Sequence, residues 1–320
     1  HIEEIVTLFA PFLWHGKSAG IAARDVPVMP LVRALLESPA CRFVSSHLSH
    51  STDWLGTVFN SEIIRTKSRH IPFGVDFPDT PAHAIDAEIA KRNAKADDAP
   101  VRFLFTNSWS QDPNSLLVRG GLDALLAFAE VLKHRPDWTL TVRSMLPTEL
   151  LGEDFGRFVK SIPNLSIIDR PISDAEMAAL YLDADIYLLP SVGLHTVSIL
   201  QAMYFGAVLI ASDAPAVDEY VTDDVNAAVV PGRENVFSWY GEDGLLNQTF
   251  DPLFQGVDQK FTERLFQTML TLGDDRERQR RLRSTARRFV LDRHALAPWQ
   301  SGFEALLRDA LGTGGQGAQA

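Results

Sequence analysis

The run Leu189-Pro-Ser-Val-Gly-Leu-His-Thr-Val-Ser-Ile-Leu-Gln-Ala-Met203 has the residue types and spacing for ligand chemistry. An apolar strand pattern stops at Pro190, a short loop follows, and helix-forming residues begin near Thr196. The amino end of a helix carries unpaired N–H groups and a positive dipole, so it suits phosphates and sugar hydroxyls. Open α/β sheets also bind ligands at the carboxyl ends of their strands. Gly193, Leu194, His195, Thr196, Val197 and Ser198 would form the loop and first turn, with Gln201 one turn further on. The plainer reading is a strand–loop–helix connection capped by Thr196 or His195.

These residues need a scaffold, and the chain alternates strand and helix patterns around a parallel sheet. Strands are expected at Val101–Thr106, Thr139–Val142, Leu165–Ile168, Asp185–Leu189, Val208–Ala211 and Ala227–Val230. Helices are expected over Gly121–His134, Glu149–Ser161, Ser173–Leu182 and Thr196–Phe205, with a short one at Pro215–Val221. Ser173-Asp-Ala-Glu176 is a capping box, and Gly206 is a helix terminator. Before residue 80 only part of a second such unit is expected: strands Ile5–Phe9 and Arg42–Ser46, a helix from Asp25 towards Leu36, and another from Ser51 or Thr52. His47 and His50 read as polar loop residues. Residues 81–100 read as a linker with room for a helical turn. After an irregular stretch from 233 to 256, helices fit 258–272, 275–292 and 297–311, and 312–320 reads as a disordered tail.

Composition narrows the function. The chain has 320 residues and a formal net charge of −11, which argues against a general nucleic-acid binder. The arginine-rich stretch 276–288 reads first as a solvated helix face. Cys41 is the one cysteine, so neither an internal disulfide nor a multi-cysteine metal site is available. No apolar run reaches the roughly 18 residues of a membrane-spanning helix. A chain starting at His1 reads as a piece of something longer. No P-loop and no H-E-x-x-H occurs, and no G-x-G-x-x-G follows a strand.

Several segments, in order, resemble the retaining GT-B glycosyltransferases that use nucleotide sugars (glycosyl transferases group 1). Val101–Thr106 is similar to the first strand of that family's second domain. Val118-Arg-Gly-Gly-Leu-Asp-Ala-Leu-Leu-Ala-Phe128 resembles its Lys-Gly-x-x-x-Leu-Leu-x-Ala-Phe segment. Ala184-Asp-Ile-Tyr-Leu-Leu-Pro-Ser191, Gln201-Ala-Met-Tyr-Phe-Gly206, Ala211-Ser-Asp213 and Glu219 match later motifs, and Phe43–Val75 looks like the end of the first domain.

The resemblance covers about residues 40–310. It implies a GT-B-like α/β fold with a complete Rossmann-type donor-binding domain, residues 101–292, and a partial first Rossmann-type domain, residues 1–80. A terminal helix, 293–311, would cross back to that first domain. It further implies transfer of a sugar from a nucleoside diphosphate sugar with retained configuration. Arg119 would stabilise the leaving diphosphate, and Asn107, Ser108, Arg143, Arg170, the 193–198 loop and Gln201 would hold the donor. For Arg143 and Arg170, salt-bridged surface positions are the alternative. The family's two acids eight positions apart are Gly193 and Gln201 here, which motivates an alternative: a weak or inactive glycosyltransferase-like binding module. A sugar epimerase or phosphorylase ranks lower, since Lys133, Lys160 and Lys260 lie on helices.

No cofactor or metal is expected beyond the nucleotide-sugar co-substrate. The expected partners are that donor and an unnamed acceptor (saccharide, lipid-linked or protein), with no nucleic acid. The expected location is cytoplasmic, with peripheral membrane association as the further option.

Overall fold

The computed structural model describes residues 21–22, 28–77, 80–107, 115–234, 245–246 and 257–312. The expected strand Ile5–Phe9, the cap Asp25, Ser108 and the tail from 313 fall outside them. The chain divides into two compact units. The first holds 1–76, 237–249 and 292–320; the second holds 77–236 and 250–291.

The second unit is built on six parallel strands: β4 (Arg102–Thr106), β5 (Thr139–Arg143), β6 (Leu165–Ile168), β7 (Ile186–Leu189), β8 (Val208–Ser212) and β9 (Ala228–Val230), in the order β6-β5-β4-β7-β8-β9. This is the doubly wound Rossmann order, in which the chain reverses direction across the sheet between β4 and β7. β7 and β8 are buried at every position, as expected of parallel strands covered on both faces. Helices α5 (Ser115–Val118), α6 (Gly121–Val131), α7 (Thr148–Ser161), α8 (Asp174–Asp183) and α9 (Thr196–Tyr204) connect the strands. The core packs Phe103, Phe105, Leu125, Phe128, Trp138, Ile186, Leu188, Val208 and Ile210 together.

The α8 start has the expected capping box. The Ser173 side chain accepts from the Glu176 amide, and the Glu176 carboxylate accepts from the Ser173 amide at 2.8 Å. Gly206 ends α9 at φ +73. The Pro215–Val221 helix is reduced to a 3-10 turn at Val217–Glu219.

Two stretches differ from the sequence reading. Residues 81–100 are not simply a linker: Ala82–Asn93 forms α4, whose Ile85 and Arg92 are buried. The arginine-rich stretch is only partly a solvated face. It follows α10 (Gln259–Asp274) as α11 (Arg276–Arg293), and Arg276, Arg283 and Arg287 are buried. Arg92 donates to the carbonyls of Ala184, at 2.6 Å, and of Phe205; Arg283 donates to Gly206 O at 2.7 Å; Arg287 donates to Tyr204 O. These carbonyls lie where α8 and α9 end, where the last carbonyls lack intrahelical partners. Burial and the nearby Arg283 lower the Arg92 guanidinium to about 9, so it stays charged at neutral pH.

In the first unit, Ile21–Ala22 (β1) pairs antiparallel with Leu245–Leu246 (β10). Helices α1 (Met29–Glu37), α2 (Ser49–Val58) and α3 (Glu62–Lys67) pack with the parallel pair β2 (Val44–Ser46) and β3 (Ser68–His70). α12 (Leu296–Ala310) follows His294, whose carbonyl accepts from the Val75 amide at 2.8 Å. His47 does lie in the loop after β2, but it is buried, edge-on to Phe73. His50 lies against Trp54. Among the described residues no helix is long and apolar enough to cross a membrane.

Candidate functional site

The switch point between β4 and β7 puts Asn107, at the end of β4, beside the start of the Pro190–His195 loop that follows β7. That loop is fastened to the segment before α6. Val192 N donates to Val118 O at 3.0 Å, and Ser191 Oγ to the same oxygen at 3.2 Å. Ser212 Oγ, at the end of β8, donates to Ser191 O. Gly193 N turns back onto Ser191 Oγ at 3.2 Å. The loop therefore delivers His195 to the start of α9 from a fixed base. No side chain caps α9, and the first amides of an α-helix have no intrahelical acceptor. Thr196, Val197 and Ser198 form that first turn. Val197 is exposed, and Gln201, one turn on, is half-buried.

Arg119 lies between α5 and α6. It is 7% exposed, so it is not a surface arginine, and its Nε has no hydrogen-bond partner. Burial lowers its pKa, with Tyr187, Tyr181 and Arg143 the other groups acting on it. Beneath it the Tyr187 hydroxyl bonds Thr106 Oγ1 at 2.8 Å, at the end of β4. Arg143, at the end of β5, is 8% exposed and donates from Nη1 to Asn107 O; its Nε is also unpartnered. Asn107 is held from the other side, its amide nitrogen reaching Ser115 Oγ at 2.7 Å and Ser144 Oγ at 3.2 Å.

His195 completes the group. Its Nε2 is buried without a partner, and burial, then Arg119, push the imidazole well below its ordinary range. It is therefore neutral at pH 7. Arg119, Arg143, His195 and the α9 amino end form a positive site on which no described carboxylate acts. Such a site binds an anion with several oxygens.

Arg170 is engaged elsewhere. It is exposed and paired with Glu176 at 2.7 Å, within the α8 capping box. Asp213 serves the fold: its carboxylate accepts from the amides of Gly232, at 2.8 Å, and Arg233, at 2.6 Å. The sequence reading missed Tyr187 and Thr106 beneath Arg119. Tyr187 stands out only as a polar ring in an otherwise aliphatic strand. No group of three or more His, Cys, Asp or Glu among the described residues is placed to hold a metal.

Residues 118–238, which contain Arg119 and the whole of the Pro190–Gln201 loop and helix start, match the family model described as glycosyl transferases group 1. No curated protein matches the chain. Among solved structures, a glycosyltransferase from Rickettsia africae ESF-5 is similar at 13% identity and TM-score 0.58, over 91% of this chain and 69% of that one. HepE from Anabaena, in complex with UDP and glucose, is similar at 14% identity and TM-score 0.55, over 83% of this chain and 62% of HepE. Sucrose-phosphate synthase from Thermosynechococcus elongatus is similar at 15% identity and TM-score 0.58, over 89% and 62%. The chain thus spans less than two thirds of the last two. It has the GT-B glycosyltransferase fold, and the glycosyl transferases group 1 model matches its residues 118–238.

Proposed function

We propose that this chain is the donor-binding part of a glycosyltransferase that moves a sugar from a nucleoside diphosphate sugar to an acceptor with retained configuration. The observation that carries the reading is the buried, unpartnered Arg119 beside the α9 amino end at the sheet's switch point. The sugar–oxygen bond breaks with its electron pair moving onto the diphosphate, and a preorganised positive site stabilises that charge. Arg119 faces the leaving diphosphate, and the 193–198 loop holds diphosphate and sugar through backbone amides. Gln201 bonds the ribose. Arg143 and Asn107 shape the site from the β4–β5 side, and Ser108 follows them. Arg170 joins only by exchanging Glu176 for phosphate. HepE, bound to UDP and glucose, supports a nucleotide-sugar donor.

A second reading, a binding module without turnover, is favoured by Gly193 and Gln201 in place of acids. Calorimetry with UDP, GDP, ADP and dTDP, on this chain and on Arg119→Ala, tests the donor site. The expected result is millimolar or tighter binding of one diphosphate, weakened about tenfold or more by the substitution, as loss of a charge-assisted bond implies. No binding to the folded chain overturns the donor site. Binding without sugar transfer or donor hydrolysis in the full-length protein favours the module.

A further inference from the structure

On the donor-site reading proposed above, the switch point holds a diphosphate between Arg119 and the α9 amino end, and the His195 side chain has no task there. His195 directly precedes the first turn of α9 and does not cap it. Its Nε2 is buried without a partner among the described residues. A buried ring nitrogen left unbonded is costly, so it marks a place where a ligand completes the bond. The segment that carries Arg119 is fastened to the same loop by its backbone. Val118 O accepts from Val192 N at 3.0 Å and from Ser191 Oγ at 3.2 Å, and a Cβ on Gly120 would stand 2.0 Å from Pro190 O. His195 is three residues beyond Val192, so imidazole and guanidinium spring from neighbouring backbone.

Burial, then Arg119, hold this imidazole well below its ordinary range, so the free chain carries it neutral. The elements packed around it fit that state. Arg119, from the turn before α6, is a cation. Ser191 on the loop and Thr196, Val197 and Ser198 on α9 are uncharged. Ser212 ends β8, and the carboxylate that follows it, Asp213, accepts from the amides of Gly232 and Arg233. A diphosphate changes the balance. An anion beside a neutral, buried imidazole favours its protonated form, and by linkage the proton and the anion each strengthen the binding of the other.

We propose, resting on that donor-site reading, that His195 takes up a proton from solvent as the diphosphate binds and that its Nε2–H then donates to a phosphate oxygen. His195 is then a catalytic residue as well as a binding one. The oxygen that keeps the electron pair of the broken sugar bond gains its charge beside a donor already in place. The proton returns to solvent when the diphosphate leaves, so the cycle consumes none. The rival arrangement is a neutral ring whose Nε2 accepts from a sugar hydroxyl, and that exchanges no proton.

Calorimetry with UDP-glucose, and with GDP-mannose, ADP-glucose and dTDP-glucose beside it, reads the proton directly. Sugar diphosphates are used because neither phosphate titrates near neutrality, whereas the terminal phosphate of a free nucleoside diphosphate does, with a pKa of about 6. Binding enthalpies at pH 7 in PIPES and in Tris, buffers of low and high ionisation enthalpy, should differ by the equivalent of about half to one proton taken up. Affinity should rise severalfold as pH falls from 8 to 6, by at most about tenfold per unit. His195→Gln, checked for folding at pH 8, should show neither effect. Should that variant fail to fold or bind, ring-nitrogen NMR spectra of the wild type decide. One of the nine imidazoles should pass from neutral to doubly protonated when donor is added at pH 7. Three results overturn the proposal: a buffer-independent enthalpy, equal uptake in wild type and His195→Gln, or no imidazole gaining a proton. If Arg119→Ala still weakens donor binding in those cases, the donor site stands and only the His195 assignment falls. If no donor binds to the folded chain, both fall together.

Discussion

A Cβ on Gly120 would stand 2.0 Å from the carbonyl oxygen of Pro190. The backbone of the Arg119 segment thus passes directly against the start of the β7 loop, and only glycine allows that approach. Gly120 also sits at φ +76, which L side chains rarely adopt. The contact lies next to Arg119 on one side and to Ser191 on the other, so it sets the spacing between the guanidinium and the loop.

Gly120→Ala must therefore move one of the two segments. Strain at positive φ and overpacking each cost roughly 1–3 kcal/mol. The expected outcome is a loss of at least about 2 kcal/mol in urea denaturation, together with weaker diphosphate binding even though no ligand-facing group changes. Gly193→Ala, where the added methyl meets nothing, should leave the urea midpoint unaltered.

Much of this framework was legible because its cues are local. Ser173 and Glu176 announce a helix start three residues apart, Gly206 a helix end, and the continuous apolar runs of β7 and β8 announce buried parallel strands. Asn107, Arg119, Arg143 and the 193–198 loop were nameable as candidates through motif order alone. Their convergence was not, because the strand order that brings β4 beside β7 is a long-range property. The α4 helix was hidden by its composition. Only Ile85 and Arg92, seven residues apart, are buried on it, and an arginine reads as solvent-facing. Arg170 resembles Arg143 in sequence position, yet a carboxylate only six residues away, Glu176, has claimed it.

His195 gives a prediction in pH. Its folded-state pKa is depressed by burial and by Arg119, while in the unfolded chain it stays near the ordinary value of about 6.5. Above that value neither state holds the proton. Below it the unfolded chain takes up a proton the folded chain refuses, so stability falls as pH drops, with a limiting slope of about 1.4 kcal/mol per pH unit for one group. His294, also depressed by burial, acts with the same sign. Urea midpoints between pH 7 and 5 should fall less steeply in His195→Gln than in the wild type. Parallel slopes would show that the imidazole titrates normally.

The α11 arginines should differ sharply in worth. Arg283 bonds the Gly206 carbonyl at 2.7 Å and Asn93 Oδ1 at 2.6 Å. Arg283→Met keeps the stem and strands both acceptors, for an expected cost of about 1–3 kcal/mol. Arg288 is exposed, and Arg288→Met should stay within about 0.5 kcal/mol. Thermal or urea unfolding of the two variants side by side decides between a buried strap and a solvated basic face.

The Asp123–Arg233 pair should show an asymmetry that depends on pH. Arg233 is 3% exposed, pairs with Asp123 at 2.8 Å and stacks 4.0 Å from the Phe261 ring centre. Asp123 also accepts from Thr262 Oγ1 at 3.0 Å. Asp123→Ala leaves a guanidinium that cannot shed its charge, and breaking a buried pair in this way costs about 3–5 kcal/mol. Arg233→Met leaves a carboxylate instead, and a carboxylate can be neutralised by a proton. Burial already pushes the Asp123 carboxyl up, against the pull of Arg233; without Arg233 it rises further. A folded pKa above the unfolded value means stability that is fully present at low pH and lost as pH rises through the folded pKa. Arg233→Met should therefore be closer to wild type at pH 5 than at pH 8, while the Asp123→Ala deficit should lack this relief on acidification. Urea midpoints for both variants at the two pH values test this, and equal pH responses would show that the Asp123 carboxylate is solvated in the folded chain.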